Sequence, residues 1–139
     1  MAVHFLTEDR DPGALPKKKI SGWLTQVIRE EGKIPGVVNV VFCSDEYLVN
    51  VNEEFLKRNY LTDVITFDYT EGNRISGDIL ISIDRIRENA EERGLSFLEE
   101  LKRIMVHGVL HLIGFNDDTK ENKAIMTSME DVYLGKAPE

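Results

Sequence analysis

The sequence predicts an α+β fold in which a small mixed β-sheet is covered by helices. Strand patterns alternate with helix patterns along the chain, and a tight turn at Glu71-Gly-Asn joins two strands directly. No internal repeat, low-complexity stretch or linker divides the 139 residues. We therefore expect a single domain over residues 1–139, long enough to bury a hydrophobic core of its own.

Four strands are predicted from runs of β-branched and apolar residues. The second is apolar almost throughout and is typical of a buried strand, whereas the third alternates apolar and polar residues. The expected strands cover residues 2–6, 37–43, 64–69 and 77–83.

Helices are expected in the remaining segments. Pro16 opens the first, in which apolar residues recur every three or four positions. Asp45 is expected to cap the second, with Phe55 among its inward-facing residues. A third, polar helix is expected from Asp84.

The fourth helix is the most apolar segment of the chain. Ser96 and Glu99 form a capping box at its start, and Gly114 ends it. A last helix is expected to begin near Asp118-Thr119, where Asp118 together with Glu121 could form the cap.

Composition limits the class of protein and the cellular compartment that we expect. Its 42% hydrophobic and 30% charged residues are typical of a soluble globular domain. No apolar run approaches the roughly 20 residues of a membrane span, and the N-terminus lacks the features of a signal peptide. A single cysteine, Cys43, excludes an internal disulfide and fits a reducing compartment. We expect a cytoplasmic protein with no membrane partner.

The net charge of −8 argues against strong direct binding to nucleic acid. Affinity for a phosphate backbone normally comes from Lys and Arg, which acidic residues outnumber here by 25 to 17. A nucleic-acid function would need a local basic patch, a metal ion or a partner that brings the substrate.

The strongest functional signal is a pair of histidines, His107 and His111, in the apolar fourth helix. Residues four positions apart share one helix face, and leaving two buried imidazoles without partners costs ~1–3 kcal/mol each. One metal ion would satisfy both rings. Gly114 turns the chain back so that Asp117 could supply a third ligand, which leaves one position open, as in catalytic zinc sites.

Asp117 and Asp118 compete for the third ligand position. Asp118 has a structural use as a helix cap, whereas Asp117 lies ten residues after His107, the offset of the third ligand in an extended zinc-binding pattern. We therefore predict that His107, His111 and Asp117 hold a metal ion, and that the protein is a metal-dependent hydrolase.

Three alternatives remain open. A metallopeptidase would share the ligands, but Gly108 stands where its catalytic glutamate would be. A non-catalytic protein could use zinc only to hold its fold, although structural sites usually have four protein ligands. Finally, both histidines could be metal-free core residues.

The segment from His107 to Asp117 resembles the motif His-Gly-x-Leu-His-Leu-x-Gly-aromatic-Asp-His of the bacterial endoribonuclease family often called YbeY. Supporting segments lie in the family's order along the chain: Asn52, Leu61-Thr-Asp-Val-Ile-Thr-Phe67, Gly77-Asp-Ile-Leu-Ile-Ser82 and Met129-Glu130.

The resemblance implies a zinc-dependent endoribonuclease that acts on single-stranded RNA. It implies one zinc ion per chain and a core like that of the zinc metallopeptidases (zincin-like). It also implies a role in ribosomal RNA processing, notably maturation of the small-subunit 3′ end, and in ribosome quality control. Ribosomal RNA and proteins of the small ribosomal subunit are the implied partners. In this setting, the non-catalytic alternative is a ribosome-assembly factor with a structural zinc ion.

The sequence departs from the family in two ways. The family's Asp-His run is here Asn116-Asp117, so that the third ligand, usually histidine in the family, is Asp117. The family also commonly carries an arginine where this chain has Leu56. Lys57 and Arg58 follow and are the candidates for substrate contact, Arg58 only if the helix ends before it. The general base is not identified by the sequence.

We predict that Asp117→His moves the activity optimum to lower pH. The aspartate adds negative charge to the metal site, which weakens its ability to lower the pKa of the nucleophile. A pH–rate profile of both proteins measures this. A variant profile no more acidic than that of the wild type would contradict the explanation.

Overall fold

Four strands form one mixed sheet in the computed structural model, which describes residues 2–57 and 61–139. The strand order is β1-β2-β4-β3, with parallel pairing between β1 and β2 and between β2 and β4, and antiparallel pairing between β3 and β4. The predicted α+β class is confirmed. The strands are β1 (Val3–Thr7), β2 (Ile34–Cys43), β3 (Val64–Asp68) and β4 (Arg74–Ser82).

Five helices cover both faces of this sheet. Alternate residues of β2 and β4 face opposite sides, so that Ile79 joins the main core while Leu80 joins a smaller one. Helices α1 and α4 contribute to the main core, and α2 contributes to the smaller one. The helices are α1 (Lys17–Glu30), α2 (Asp45–Leu56), α3 (Ile83–Arg93), α4 (Phe97–Ile113) and α5 (Lys120–Leu134).

Helix ends follow the expected chemistry with two shifts. The Ser96–Glu99 capping box of α4 is present as predicted. The cap of α2 is Ser44, because the carboxylate of Asp45 accepts a hydrogen bond from the Ser82 hydroxyl at 2.6 Å. Thr119 caps α5, so the prediction of a cap at Asp118 was also one residue off.

The prediction that Phe55 faces inward is wrong. Its side chain is 61% exposed at the end of α2, where its ring meets the ring of Phe67 edge-on at a centroid distance of 6.0 Å. The helical periodicity of α2 is as predicted, but the smaller core does not extend as far as the last turn of this helix.

None of the helices in the described part of the chain combines the length and apolar character that a membrane span requires.

Helix α4 lies unusually close to β4. A Cβ atom at Gly108 would lie 2.7 Å from Cγ2 of Ile79, which is too short for an ordinary contact. A Cβ atom at Gly77 would likewise lie 2.4 Å from the carbonyl oxygen of Phe67 and 2.8 Å from a methyl carbon of Leu112. The two glycines therefore fix how deeply α4 sits on the sheet.

We predict that Gly108→Ala lowers the free energy of unfolding by ~1–3 kcal/mol, because the added methyl group overpacks the contact with Ile79. Gly22→Ala is the matched control, since Gly22 lies within α1 and its added Cβ would meet nothing within 4 Å. We expect the control to gain ~0.5–1 kcal/mol. Urea unfolding measures both, and equal changes in the two variants would refute the packing argument.

Candidate metal centre

The two histidines lie one helical turn apart on α4 and present their Nε2 atoms to the same space. These atoms are 3.1 Å apart, and the rings meet edge-on with a centroid distance of 4.6 Å and an interplanar angle of 82°. The spacing of four residues therefore brings both rings to one point, as the sequence predicts.

Asp117 reaches the same point from the loop that follows α4. The helix ends at Ile113, and Gly114 adopts a φ of 123°, which disfavours residues with a side chain. The chain then returns so that Oδ2 of Asp117 lies 3.4 Å from Nε2 of His107 and 3.3 Å from Nε2 of His111. Asp118 instead accepts a hydrogen bond from the side chain of Asn122, which lies in the first turn of the last helix, α5.

The three side-chain atoms have the spacing that a tetrahedral metal ion requires. Their separations of 3.1, 3.3 and 3.4 Å form a nearly regular triangle. Ligand atoms bound to tetrahedral zinc at ~2.0–2.1 Å would be about 3.3 Å apart. The donor set of two imidazoles and one carboxylate also suits zinc, and it is the one such group found among the described residues. A metal ion could be held here by three protein ligands.

The exposure of these residues argues against sealed core histidines. The side chains of His107, His111 and Asp117 are 16%, 24% and 41% exposed. All three line a cleft of about 470 Å³ beside β3. A ligand bound between them could therefore be reached by a substrate in the cleft.

Glu130 is the residue at this site whose role the sequence analysis missed. Its Oε2 lies 2.6 Å from Nδ1 of His107, a contact between α5 and α4 across 23 positions of sequence. The resemblance of Met129-Glu130 to the family was the one feature of the sequence that pointed to Glu130, and it did not indicate what this residue does. Burial lowers the pKa of His107, but the hydrogen bond and charge of Glu130, with the charge of Asp117, outweigh it and raise that pKa above its usual value.

The rest of the cleft is polar but carries no positive side chain among its described residues. Asp63 is the one ionisable lining residue besides the three candidate ligands, and Asn52, which is 2% exposed, contributes an amide. The remaining lining residues are Leu56, Thr62, Val64, Ile65 and Thr66.

The candidates for substrate contact lie beyond the end of α2. Leu56 lines the cleft, and Lys57 follows it as an exposed residue with a left-handed φ of 55°. The helix thus ends before Arg58, as a role for Arg58 requires, but Arg58 itself lies outside the described residues. Both contacts remain predictions.

Gly108 offers no room for the glutamate of a zinc peptidase. This position faces β4, where a Cβ atom would already meet Ile79. The close packing of α4 on β4 would therefore exclude a glutamate side chain at this position.

Comparisons with known proteins agree with this fold. The family model described as Endoribonuclease YbeY matches residues 6–137. The "Endoribonuclease YbeY" of Parabacteroides distasonis is 45% identical over 100% of this chain and 98% of its own length. That of Flavobacterium psychrophilum is 49% identical over 81% of this chain and 80% of its own. The solution structure of TM1509 from Thermotoga maritima matches with a TM-score of 0.68 and 26% identity, covering 96% of this chain and 87% of that one. These matches agree with the expected zincin-like core.

We predict that Asp117→Asn weakens zinc binding at least tenfold, because the amide oxygen lacks the charge of the carboxylate. Asp118→Asn, the neighbouring control, should bind zinc as the wild type does. Competition with a chromophoric chelator measures both affinities. Equal weakening in the two variants, or weakening in Asp118→Asn alone, would show that the third ligand is assigned to the wrong residue.

Proposed function

The chain belongs to the endoribonuclease YbeY family, and from this premise we propose that it is a zinc-dependent endoribonuclease that cleaves single-stranded RNA. The observation that carries the metal-dependent part of the proposal is the triangle of Nε2, Nε2 and Oδ2 atoms at the cleft, with sides of 3.1 to 3.4 Å. Family membership supports the choice of RNA as substrate.

In this proposal His107, His111 and Asp117 hold the ion at the side of the cleft. When bound, a zinc ion supplies Lewis-acid stabilisation of the negative charge that develops on the phosphodiester. Residues that line the cleft are the candidates for proton transfer and substrate binding. Asp63 is its other ionisable side chain and therefore the candidate acceptor for the proton of the nucleophile, and Asn52 is a candidate hydrogen-bonding partner of the substrate.

The charge of the cleft supports dependence on a metal ion. Asp63 and Asp117 are acidic, and no Lys or Arg is found among the described lining residues. A phosphate group would be repelled from this cleft unless a divalent ion offset the two carboxylates. Lys57, which follows α2, and Arg58, the next residue in the sequence, are the proposed additional contacts to the RNA backbone.

The overall charge of −8 favours recruitment through a protein partner rather than through RNA alone. We propose ribosomal RNA as the substrate, with processing of the small-subunit 3′ end and ribosome quality control as the setting. Proteins of the small ribosomal subunit are then the expected partners. The single, buried Cys43 is compatible with the reducing cytoplasm as the place of action.

We predict that the wild-type protein loaded with zinc cleaves a labelled single-stranded RNA, and that His111→Ala, purified identically, does not. Loss of one imidazole ligand should remove the metal ion and with it the stabilisation of charge on the phosphate. Asp118→Asn serves as the control and should retain activity. A chelator should abolish cleavage, and added zinc should restore it.

Equal cleavage by the wild type and His111→Ala would indicate a contaminating ribonuclease. Absence of cleavage by any form, both on free RNA and on isolated small ribosomal subunits, would overturn the proposal and favour a non-catalytic assembly factor. Measuring both substrates is necessary because an acidic protein would bind free RNA weakly.

A further inference from the structure

Glu130 is a buried carboxylate placed directly behind one of the candidate metal ligands. The residue is 6% exposed, and its Oε2 lies 2.6 Å from Nδ1 of His107. Nδ1 is the ring nitrogen that faces away from the triangle of ligand atoms, while Nε2 faces into it. A carboxylate at this distance accepts the N–H of Nδ1, which leaves the lone pair of Nε2 for a metal ion.

Arg103 holds the other oxygen of the same carboxylate. Its Nη1 lies 2.8 Å from Oε1 of Glu130, and its Nη2 lies 2.7 Å from Oδ1 of Asp131. Arg103 is on α4, one turn before His107, whereas both carboxylates are on α5. The guanidinium group therefore fixes the carboxylate from the same helix that carries the histidine.

This anchoring matters because the carboxylate is not confined by packing alone. An open pocket of about 280 Å³ adjoins His107 and is lined by Arg103 and Glu130, among others. Without the guanidinium group, the Glu130 side chain would have space to turn away from the imidazole. Arg103 also balances the charge of the Glu130 carboxylate.

We propose that Glu130 is a positioning residue for the metal centre, and that Arg103 holds it in place. Glu130 sets the tautomer and the ring orientation of His107, so that Nε2 is ready to bind the ion. The proposal rests on the metal site of the proposed function, but not on the identity of the substrate.

The competing explanation is that Glu130 and Arg103 only tie α5 to α4. The chain offers a matched control for this explanation in Glu100, which is 3% exposed and lies on α4 itself. Its carboxylate is paired with Arg93 of α3 at 3.2 Å, so it also links α4 to a neighbouring helix. Glu100 lines the same pocket as His107 and interacts electrostatically with Arg103 and Glu130. Its hydrogen-bond partner, however, is Arg93 and not a histidine. A purely structural role would make the two glutamates equivalent.

The experiment compares Glu130→Gln, Arg103→Gln and Glu100→Gln in two measurements. Zinc affinity is obtained by competition with a chromophoric chelator, and thermal unfolding of the metal-free proteins reports on the helix ties. We expect both glutamate variants to lose thermal stability. We expect Glu130→Gln to weaken zinc binding by roughly 10–100-fold and Arg103→Gln to weaken it in the same direction. Glu100→Gln should stay within about threefold of the wild type.

Unchanged zinc affinity in Glu130→Gln, or equal weakening in Glu100→Gln, would overturn the proposal. A second measurement needs no variant. Long-range ¹H–¹⁵N correlation spectra of the metal-free wild type, at a pH where the imidazole is neutral, report which nitrogen of His107 carries the proton. We expect the proton on Nδ1, and finding it on Nε2 would refute the role of Glu130.

These outcomes distinguish a failure of the role proposed for Glu130 from a failure of the proposed nuclease function. A protein that binds zinc as expected but cleaves no RNA would leave the role of Glu130 intact and remove the nuclease assignment. A wild type that binds no zinc would remove the metal centre, and the proposal with it, whatever the tautomer of His107.

Discussion

The close contact between Gly108 and Ile79 is the constraint on which the site depends. Because Gly108 has no side chain, α4 settles onto β4 at a depth that a single methyl group would prevent. Gly77 does the same from the strand, where it makes room for Leu112. The depth and rotation of α4 are thereby fixed, and the histidines on either side of this contact are directed to the cleft beside β3. The packing of the core thus also determines the geometry of the metal centre.

The parts of the centre come from α4, the turn that follows it and α5, and each segment is held by its own local interaction. The capping box of Ser96 and Glu99 fixes the start of α4, and Gly114 fixes the turn after it. The turn brings in Asp117, while α5 brings Glu130 to the far side of His107. The acidic character that results, with carboxylates on both sides of the imidazoles, favours a divalent cation and makes phosphate binding dependent on it.

Local signals in the sequence predicted the parts of this site that depend on short spacing. The i, i+4 relation of His107 and His111 needs only helical geometry. The preference for Asp117 over Asp118 follows from the capping role open to Asp118 and from the ten-residue offset between His107 and Asp117. The structure brings these three residues together. The contact of Glu130 with His107 was not predictable in this way, because it depends on how α5 packs against α4.

The errors in the fold have the same origin. The exposure of Phe55 depends on how far the smaller core extends, which helical periodicity does not encode. The cap of α2 falls at Ser44 because Asp45 is drawn into a hydrogen bond with Ser82, 37 residues away. In both cases a long-range interaction decided between local possibilities that the sequence left nearly equal.

The most direct test of the central claim is a crystal structure of the protein grown with zinc, with anomalous diffraction recorded at the zinc edge. We expect one anomalous peak per chain at this centre, ~2.0–2.2 Å from Nε2 of His107, Nε2 of His111 and Oδ2 of Asp117. An ion bound through Nδ1 of His107, or an ion at another place with these three atoms left unbound, would contradict it.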